Sequence, residues 1–334
     1  MQKKSIALVT GGYSGEAQVS YRSAQTILQQ IDRATYDCYL IDIARDGWWY
    51  TPEDGGEKTP VDKNDFSIHV QGSKCIFDAV LIGIHGTPGE DGKLQGYFDM
   101  IGLPYTSCDA SVSALTFNKR FTVAVAGMSG VAVAHSLHFY KDAVLDITTA
   151  AEKLQFPVFV KPANGGSSIG MSKVPVAEAL EAAIEKAFKE DRQVLVEEFI
   201  EGREFTIGVY KHNGQIITLP ITEVVSENYF FDYEAKYEGK SKETTPAEVS
   251  EPVADQLRNA AKHIYKVFNC QGIIRIDFIY NEAAGKPYML EINTVPGQSA
   301  ASVVPQQIKA AGCTLTDFYS QLIEECLKNH STNG

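Results

Sequence analysis

The sequence is short of positive charge. Its 334 residues include 30 Lys and Arg against 42 Asp and Glu, which gives a formal net charge of -12. A protein with this charge is a poor partner for nucleic acid or for an anionic membrane surface, so we expect neither as its main partner. An acidic chain that binds an anion must therefore gather its basic residues at one place or recruit a metal cation.

Paired cysteines and long apolar runs are also missing. The six cysteines never form a C-x-x-C pair, which excludes a zinc ribbon and a thioredoxin-type redox pair. No apolar run approaches the length of a membrane span, and the apolar stretch that begins at Ser5 is too short for a signal peptide. We therefore expect a cytoplasmic protein with reduced thiols, and we find no internal repeat. The cysteines are Cys38, Cys75, Cys108, Cys270, Cys313 and Cys326.

Strand and helix patterns alternate over the first hundred residues. The run "SIALVT" ends at Gly11-Gly12, a helical stripe follows from Glu16, and "CYLIDI" and "AVLIGIHG" are further apolar strands. This order predicts a parallel sheet with ligands beyond the carboxyl ends of its strands. The pattern Gly11-Gly12-x-x-Gly15 differs from G-x-G-x-x-G, although Asp42 stands where a ribose-binding acid is expected. The hypothesis that the protein is a nicotinamide dehydrogenase depends on these features alone.

The segment "VFVKPANGGSSIGMS" (158–172) ends an apolar strand at Lys161 and continues into glycines and serines. Glycine lets backbone N–H groups approach a ligand closely, and the neighbouring lysine favours an anion. The spacing is not that of a P-loop. A hairpin turn with a solvated lysine is the alternative.

The remaining chain mixes helices with antiparallel strands. Asp109 or Ser111 caps a helix, and the pattern breaks at Asn118, where a second helix begins. Residues 226–250 are polar and aromatic at once and too long for an ordinary connection, which predicts a lid. A helix near 251–268 leads into two strands, and two further helices close the chain.

The segment "IIRIDFIYNEAAGKPYMLEIN" (273–293) predicts a hairpin with acidic residues on one face. If Tyr280 pairs with Tyr288, Asp277 lies opposite Glu291, and Asn293 shares that face by the period of two. Opposed carboxylates repel each other unless a cation lies between them. Three oxygen ligands without His or Cys suit Mg²⁺ or Mn²⁺ with phosphate oxygens. A solvated acidic edge is the alternative, but apolar residues flank these acids.

Basic residues near this hairpin and the glycine loop complete the pattern. Arg275 shares the face of Asp277, where it forms a structural ion pair or stabilises negative charge that develops during phosphoryl or acyl transfer. Lys119, Lys161 and Lys236 are candidate phosphate ligands.

Eight segments, in this order, resemble the D-alanine–D-alanine ligases of the ATP-grasp superfamily and extend from Gly11 to Ser302. They are "GGYSGEAQVS", "HGTPGEDGKLQG", "SALTFNK", "VKPANGGSSIGMSKV", "VEEFIEGREFT", "FFDYEAKY", "RIDF" and "EINTVPGQSAAS". The resemblance implies an α/β protein, with an ATP-grasp fold preceded by a Rossmann-like N-terminal parallel-sheet domain. The implied units are a substrate-binding domain (1–108), a central ATP-grasp subdomain (109–198) and a C-terminal subdomain (199–334) that holds the metal site and the mobile loop 226–250.

The resemblance also implies the chemistry. ATP phosphorylates the carboxylate of one D-alanine, the amine of a second attacks the acyl phosphate, and the dipeptide serves peptidoglycan precursor synthesis. Two Mg²⁺ or Mn²⁺ ions and a homodimer are expected.

Site residues follow from the same resemblance, motif by motif. Those implied in catalysis are Glu16, Ser167, Tyr237, Arg275, Gly297 and Ser302. Those implied at the D-alanine substrates are Glu16, His85, Ser302 and Val303. Those implied at ATP are Lys119, Lys161, Ser168, Glu197, Glu198, Ile200, Glu204 and Lys236. The implied metal ligands are Asp277, Glu291 and Asn293.

Three positions depart from the family pattern. Glu198 stands where many members have lysine, Ser299 where threonine is common, and Phe231 where some members have tyrosine. The Glu198 departure bears on one adenine contact.

Two alternatives stay within this superfamily. A D-alanine–D-lactate ligase is one, although the resemblance associates tyrosine at position 237 with dipeptide formation. A non-catalytic nucleotide-binding module is the other. It would have lost a metal ligand or an oxyanion residue, yet Asp277, Glu291, Asn293 and Arg275 are all present.

Overall fold

The structure of the chain, a computed structural model, describes residues 3–143, 146–166, 169–226 and 241–333. The strands are β1 (Lys4–Gly11), β2 (Tyr36–Ala44), β3 (Gly47–Thr51), β4 (Thr59–Pro60), β5 (Ile68–Val70), β6 (Ser73–Cys75), β7 (Ala79–Ile82), β8 (Ser136–Tyr140), β9 (Val158–Pro162), β10 (Ser172–Val174), β11 (Gln193–Glu198), β12 (Arg203–His212), β13 (Gln215–Thr218), β14 (Thr222–Ser226), β15 (Ser241–Thr244), β16 (Ile274–Asn281) and β17 (Lys286–Asn293). The helices are α1 (Ala17–Gln30), α2 (Lys93–Ile101), α3 (Ala110–Phe117), α4 (Lys119–Met128), α5 (Ile147–Lys153), α6 (Leu180–Ala187), α7 (Glu251–Val267), α8 (Val303–Ala310) and α9 (Leu315–Asn333), with a short 3₁₀ helix at Ala177–Ala179.

The first sheet has the strand order β4-β3-β2-β1-β7, and its β1 pairs in parallel with both β2 and β7. The predicted parallel arrangement is therefore confirmed for these three strands, whereas β3 and β4 extend the sheet as antiparallel strands. Asp42, at the end of β2, accepts a hydrogen bond from the Tyr21 hydroxyl at 3.0 Å and lies 3.9 Å from the Lys58 ammonium. These contacts give Asp42 a structural role, which weakens the argument for a dinucleotide-binding dehydrogenase.

Two helices meet at Asn118, as the sequence predicts. Asp109 caps α3 by accepting the N–H of Val112 at 2.8 Å, and Asn118 caps α4 by accepting the N–H of Phe121 at 3.2 Å. Since the side chains of Asn and Asp satisfy the first N–H groups of a helix, the second cap separates the two helices. Lys119 is thereby placed in the first turn of α4.

The second sheet, which carries the glycine loop after β9, has the order β10-β9-β11-β8, and the third has the order β15-β14-β12-β16-β17, with β13 paired to β12. In its β16–β17 hairpin, Tyr280 pairs with Pro287, so the premise that it pairs with Tyr288 is wrong. The register shifts between Asp277 and Phe278, where Leu290 is the additional residue of β17. This bulge restores the pairing of Asp277 with Glu291, as predicted.

The predicted lid is only partly covered by the described residues. Residues 241–244 form β15, which pairs with β14. Residues 227–240 lie outside the described ranges, and so do four of the predicted site residues. These four are Ser167, Ser168, Lys236 and Tyr237.

Residues from both ends of the chain share one hydrophobic core. Ile6 and Leu8 of β1 and Ile27 of α1 pack with Phe318 and Ile323 of α9. The last helix thus covers the first sheet, which brings the segment before it close to the carboxyl ends of β1 and β7. Within the described ranges, no helix combines the length and the apolar character that a membrane crossing requires.

Candidate active site

One cleft, with a volume of about 290 Å³, collects most of the predicted site residues. Its lining comes from the start of α1, the segment after β7, the α3–α4 junction, the glycine loop after β9, and the third sheet with the segment after β17. The predicted residues that line it are Glu16, His85, Lys119, Glu204, Arg275, Asp277, Glu291, Asn293, Gly297, Ser302 and Val303.

Asp277 is held by hydrogen bonds from three side chains. Arg275 donates to it through two nitrogens, from Nε to Oδ1 at 2.8 Å and from Nη2 to Oδ2 at 2.7 Å. The Thr206 hydroxyl donates to Oδ1 at 2.5 Å, and Asn293 Nδ2 donates to Oδ2 at 3.3 Å. Bidentate pairing of this kind fixes orientation as well as charge. The guanidinium therefore holds both oxygens of the buried Asp277 in a defined plane.

Lys119 joins this acidic hairpin to the glycine loop. Its ammonium lies 3.7 Å from Glu291 Oε2 and donates to the carbonyl of Gly165 at 2.7 Å. Its backbone N–H donates to the carbonyl of Ala163 at 2.7 Å. One residue thus connects the start of α4, the loop after β9 and a predicted metal ligand, where a phosphate group would meet a fixed positive charge.

The predicted metal ligands offer a donor set that fits a hard divalent cation. Asp277 and Glu291 lie opposite each other in the hairpin, and Asn293 lies two residues further along the same strand. Carboxylate and amide oxygens are the ligands that Mg²⁺ and Mn²⁺ prefer. No group of three His, Cys, Asp or Glu elsewhere in the described ranges is arranged to hold a metal. Any metal bound here therefore needs the Asn293 amide or the ligand's own oxygens.

Two glycines make room for the carboxylate of Glu16. A methyl group on Gly86, whose φ is +67°, would lie 2.8 Å from Glu16 Oε2, and one on Gly166 would lie 2.6 Å from Oε1. Both distances are too short for a side chain, so the backbone approaches the carboxylate from two sides. The glycine loop that follows Lys161 thus reaches Glu16 as well as Lys119.

Glu90 is a site residue that the sequence analysis missed. Its Oε2 accepts the N–H of Gly86 at 2.6 Å, and its Oε1 accepts the N–H of Val295 at 3.4 Å. Burial, together with the negative charge of Glu16, raises the pKa of Glu90 to about 8, against the opposing charge of Arg275. Glu90 lies within the quoted motif "HGTPGEDG", but nothing in the motif shows that it faces a second carboxylate.

We expect Glu90→Gln to change how stability depends on pH. A carboxyl whose pKa is raised by folding costs stability as pH increases, because the unfolded state releases its proton first. Between about pH 5 and about pH 8, the Glu90 carboxyl should lower the free energy of unfolding of the wild type as the pH rises. The variant lacks this carboxyl and should show no such decrease. The difference in Tm, variant minus wild type, is therefore expected to grow across that range in thermal unfolding experiments.

Glu282→Gln, in the exposed turn between β16 and β17, is the matched control. The Tm difference of Glu90→Gln is compared with that of this variant at each pH. A constant difference for Glu90→Gln would show that Glu90 ionises normally in the folded protein.

The end of the cleft near Ser302 is formed by a tight turn. Ser302 Oγ lies beside Gly297 and 2.8 Å from Ser299 Oγ, and its N–H donates to the Ser299 carbonyl at 2.8 Å. Val303 begins α8, so the first free N–H groups of that helix lie at this end of the cleft. A carboxylate would find hydroxyl and N–H donors here.

Four predicted nucleotide residues are not part of the cleft lining. Lys161 and Glu197 form a close ion pair between β9 and β11. Glu198 accepts the N–H of Gln155 at 2.9 Å and lies 3.2 Å from His135 Nδ1. Ile200 follows β11. All four lie on, or directly after, strands of the sheet that carries the glycine loop.

Comparisons with known proteins agree over nearly the whole chain. A family model described as "D-ala D-ala ligase N-terminus" matches residues 5–108, and one described as "D-ala D-ala ligase C-terminus" matches residues 120–324. The chain is 46% identical over 330 residues to a D-alanine–D-alanine ligase of Parabacteroides distasonis, with 99% of each chain covered. It is 45% identical over 321 residues to that of Flavobacterium johnsoniae, with 96% of this chain and 98% of the relative covered.

Solved structures give the same result. A D-alanine–D-alanine ligase from Coxiella burnetii matches with a TM-score of 0.88 at 26% identity, over 100% of this chain and 96% of that one. A D-Ala:D-Ser ligase from Enterococcus faecalis matches with a TM-score of 0.86 at 31% identity, over 97% and 99%. The predicted fold class, an ATP-grasp fold preceded by a Rossmann-like parallel sheet, is confirmed.

Proposed function

This chain belongs to the D-alanine–D-alanine ligase family, and we propose that it joins two D-alanine molecules at the expense of ATP. The products are D-alanyl-D-alanine, ADP and phosphate, and the dipeptide supplies peptidoglycan precursor synthesis. The observation that carries the proposal is the single cleft in which Glu16 and Lys119 accompany the bonded set Arg275, Asp277 and Asn293.

In the first step, the carboxylate of one D-alanine attacks the γ-phosphoryl group of ATP and forms an acyl phosphate. Glu16 binds the ammonium of this D-alanine, and its carboxylate lies against the backbone at Gly86 and Gly166. Lys119 and Arg275 lie close enough to the acidic hairpin to balance the charge of the transferring group. Positioning and charge stabilisation suffice, because the reaction needs no nucleophile from the protein.

In the second step, the free amine of the second D-alanine attacks the acyl carbon, and the tetrahedral intermediate expels phosphate. Arg275 and the N–H of Gly297 stabilise the oxyanion, while Ser302 and the N–H of Val303 bind the carboxylate of the incoming D-alanine. Support comes from the cleft, whose lining includes all four residues.

Asp277, Glu291 and Asn293 would hold two Mg²⁺ or Mn²⁺ ions in this proposal. When bound, the ions would neutralise phosphate oxygens and orient the triphosphate.

The remaining nucleotide contacts are assigned by the resemblance of the sequence to the family. Ser168, Lys161 and Lys236 contact the phosphates, and Ser167 and Tyr237 act through Glu16. Those assigned to adenine and ribose are Glu197, Glu198, Ile200 and Glu204. We further propose the division into residues 1–108, 109–198 and 199–334, a homodimer and a cytoplasmic location.

The acceptor is proposed to be D-alanine rather than D-lactate. Tyr237, by resemblance, goes with amide formation, and a solved relative is named for D-serine as its second substrate. Product analysis with D-alanine, D-serine and D-lactate present together would therefore decide the acceptor. A predominant ester product would overturn this part of the proposal.

Phosphate release from ATP, measured with and without D-alanine, tests the function itself. We expect release that depends on D-alanine, together with D-alanyl-D-alanine detected by mass spectrometry. A protein that binds ATP but releases no phosphate with D-alanine would be the non-catalytic module. Binding of NADH without binding of ATP, in parallel fluorescence titrations, would favour the dehydrogenase.

A further inference from the structure

Two serines of α1 lie fully buried although they carry hydroxyl groups. Ser20 and Ser23 are both 0% exposed, and both contact the segment after β7. Ser20 Oγ accepts the N–H of His85 at 3.0 Å. Ser23 Oγ lies 3.0 Å from His85 Nε2 and accepts the N–H of Gln298 at 3.1 Å. A buried hydroxyl needs partners for its hydrogen and its lone pairs.

The hydrogen bonds of His85 determine which of its nitrogens carries a proton. The ring also bonds to the backbone of Val295, whose N–H is already donated to Glu90, so His85 donates to the Val295 carbonyl. Since Nε2 faces Ser23, the donor is Nδ1, and the Ser23 hydroxyl donates to Nε2. Nε2 is then the acceptor, and Nδ1 carries the proton of a neutral imidazole. Burial lowers the pKa of His85 to about 4, and a hydrogen bond to the Val295 backbone opposes this only in part. The ring is therefore neutral at physiological pH.

Gln298 directly follows Gly297, whose N–H is assigned to the oxyanion. Its side chain is also bound on both sides, with Nε2 donating to the Pro296 carbonyl at 3.0 Å and Oε1 accepting from the Tyr319 hydroxyl at 3.3 Å. The turn 296–298 is thus tied to α1 through Ser23 and to α9 through Tyr319. Because α1 and α9 both hold this turn, the peptide groups of residues 296–298 cannot rotate freely.

We propose that Ser23 is a positioning residue for catalysis. Through its bonds to His85 and to the N–H of Gln298, it holds the turn 296–298 so that the Gly297 N–H points to the developing oxyanion. The proposal rests on the proposed function, because Gly297 has this task only in the ligase reaction. Ser23 itself touches neither substrate nor reacting atoms.

The matched pair Ser23→Ala and Ser113→Ala tests this assignment. Ser113 is also a helical serine at 0% exposure, and its hydroxyl donates to the Cys108 carbonyl at 3.1 Å, away from the turn. Both variants are expected to fold, because alanine favours helices. Ser23→Ala should lower kcat by about 10- to 100-fold with an unchanged KM for ATP, since a misplaced oxyanion donor affects the transition state most. Ser113→Ala should keep kcat within about twofold.

Two further measurements separate positioning from general structural loss. Ser23→Thr retains a hydroxyl and should recover most of the kcat that Ser23→Ala loses. The Tm values of the two variants are measured to compare their stability. In ¹⁵N NMR spectra, His85, identified with a His85→Gln variant, should be the Nδ1–H tautomer in the wild type, and its Nε2 resonance should shift in Ser23→Ala, where the hydroxyl donor is gone.

Several results would overturn the inference. Equal kcat for the two alanine variants, or a wild-type Nε2–H tautomer, would remove its basis. A decrease of kcat matched by an increase in the KM for ATP would indicate a general loss of structure. If the wild type releases no phosphate with D-alanine, the proposed function fails too, and that result is distinct from an active wild type with an unaffected Ser23→Ala.

Discussion

Glu291→Gln is expected to lower kcat by about 10²- to 10³-fold, the size of effect seen when one preorganised electrostatic group is removed from an active site. The substitution keeps the shape of the side chain but removes a charged oxygen ligand from the position opposite Asp277. The concentration of Mg²⁺ that gives half-maximal activity should increase as well. Stability without metal should change little, because the loss of repulsion between Glu291 and Asp277 offsets the loss of the Lys119 contact at 3.7 Å.

Steady-state rates across a Mg²⁺ titration, together with Tm values, check this expectation. Glu282→Gln removes the same charge from the exposed turn of the same hairpin and should behave as the wild type. A Glu291→Gln enzyme with normal turnover and a normal Mg²⁺ requirement would remove Glu291 from the metal site.

Arg275→Gln should lower kcat/KM by at least about 10²-fold, because it removes a cation that both orients Asp277 and lies at the proposed oxyanion. It should also reduce the free energy of unfolding. Both Arg275 bonds to Asp277 are lost, at 2.8 and 2.7 Å, and among the described residues the buried carboxylate keeps Thr206 and Asn293 as donors. Hydrogen bonds to charged groups contribute about 1.5–3 kcal/mol, so a loss of that order is expected.

Arg203→Gln provides the comparison. Arg203 makes the same kind of two-nitrogen contact, donating to Glu223 at 2.8 and 2.9 Å, but it does not line the cleft. It should lose stability with nearly unchanged kcat/KM. Urea unfolding and initial rates measured on both variants give the two quantities. If the two variants lose activity in proportion to their stability, Arg275 has a structural role only.

Local pattern was enough to predict the acidic hairpin. Asp277 and Glu291 are separated by 14 positions, and the short turn between β16 and β17 brings them together whatever the rest of the chain does. The premise about Tyr288 was wrong because one extra residue, Leu290, enters the strand as a bulge. Period-two alternation does not show where such a bulge falls, although here the pairing that matters was unaffected.

The helix caps were equally local. Asp109 and Asn118 act on N–H groups three residues further along the chain, so the break between α3 and α4 is visible in the sequence. The position of Lys119 follows from that break. Its contact with the Gly165 carbonyl, 46 residues away, does not.

By itself, the sequence determined the elements, their caps and glycine loops, and the face of the hairpin that carries the acids, because these depend on neighbours within a few residues or one turn. Only the tertiary structure decided which of these pieces meet. Glu90 reaches Val295 across 205 positions, and Ser23 reaches Gln298 across 275. Such contacts depend on how α1 and α9 pack on the same sheet. The raised pKa of Glu90 arises from burial and from the charge of Glu16, and the tautomer of His85 from its hydrogen bonds; no single segment of the sequence encodes either.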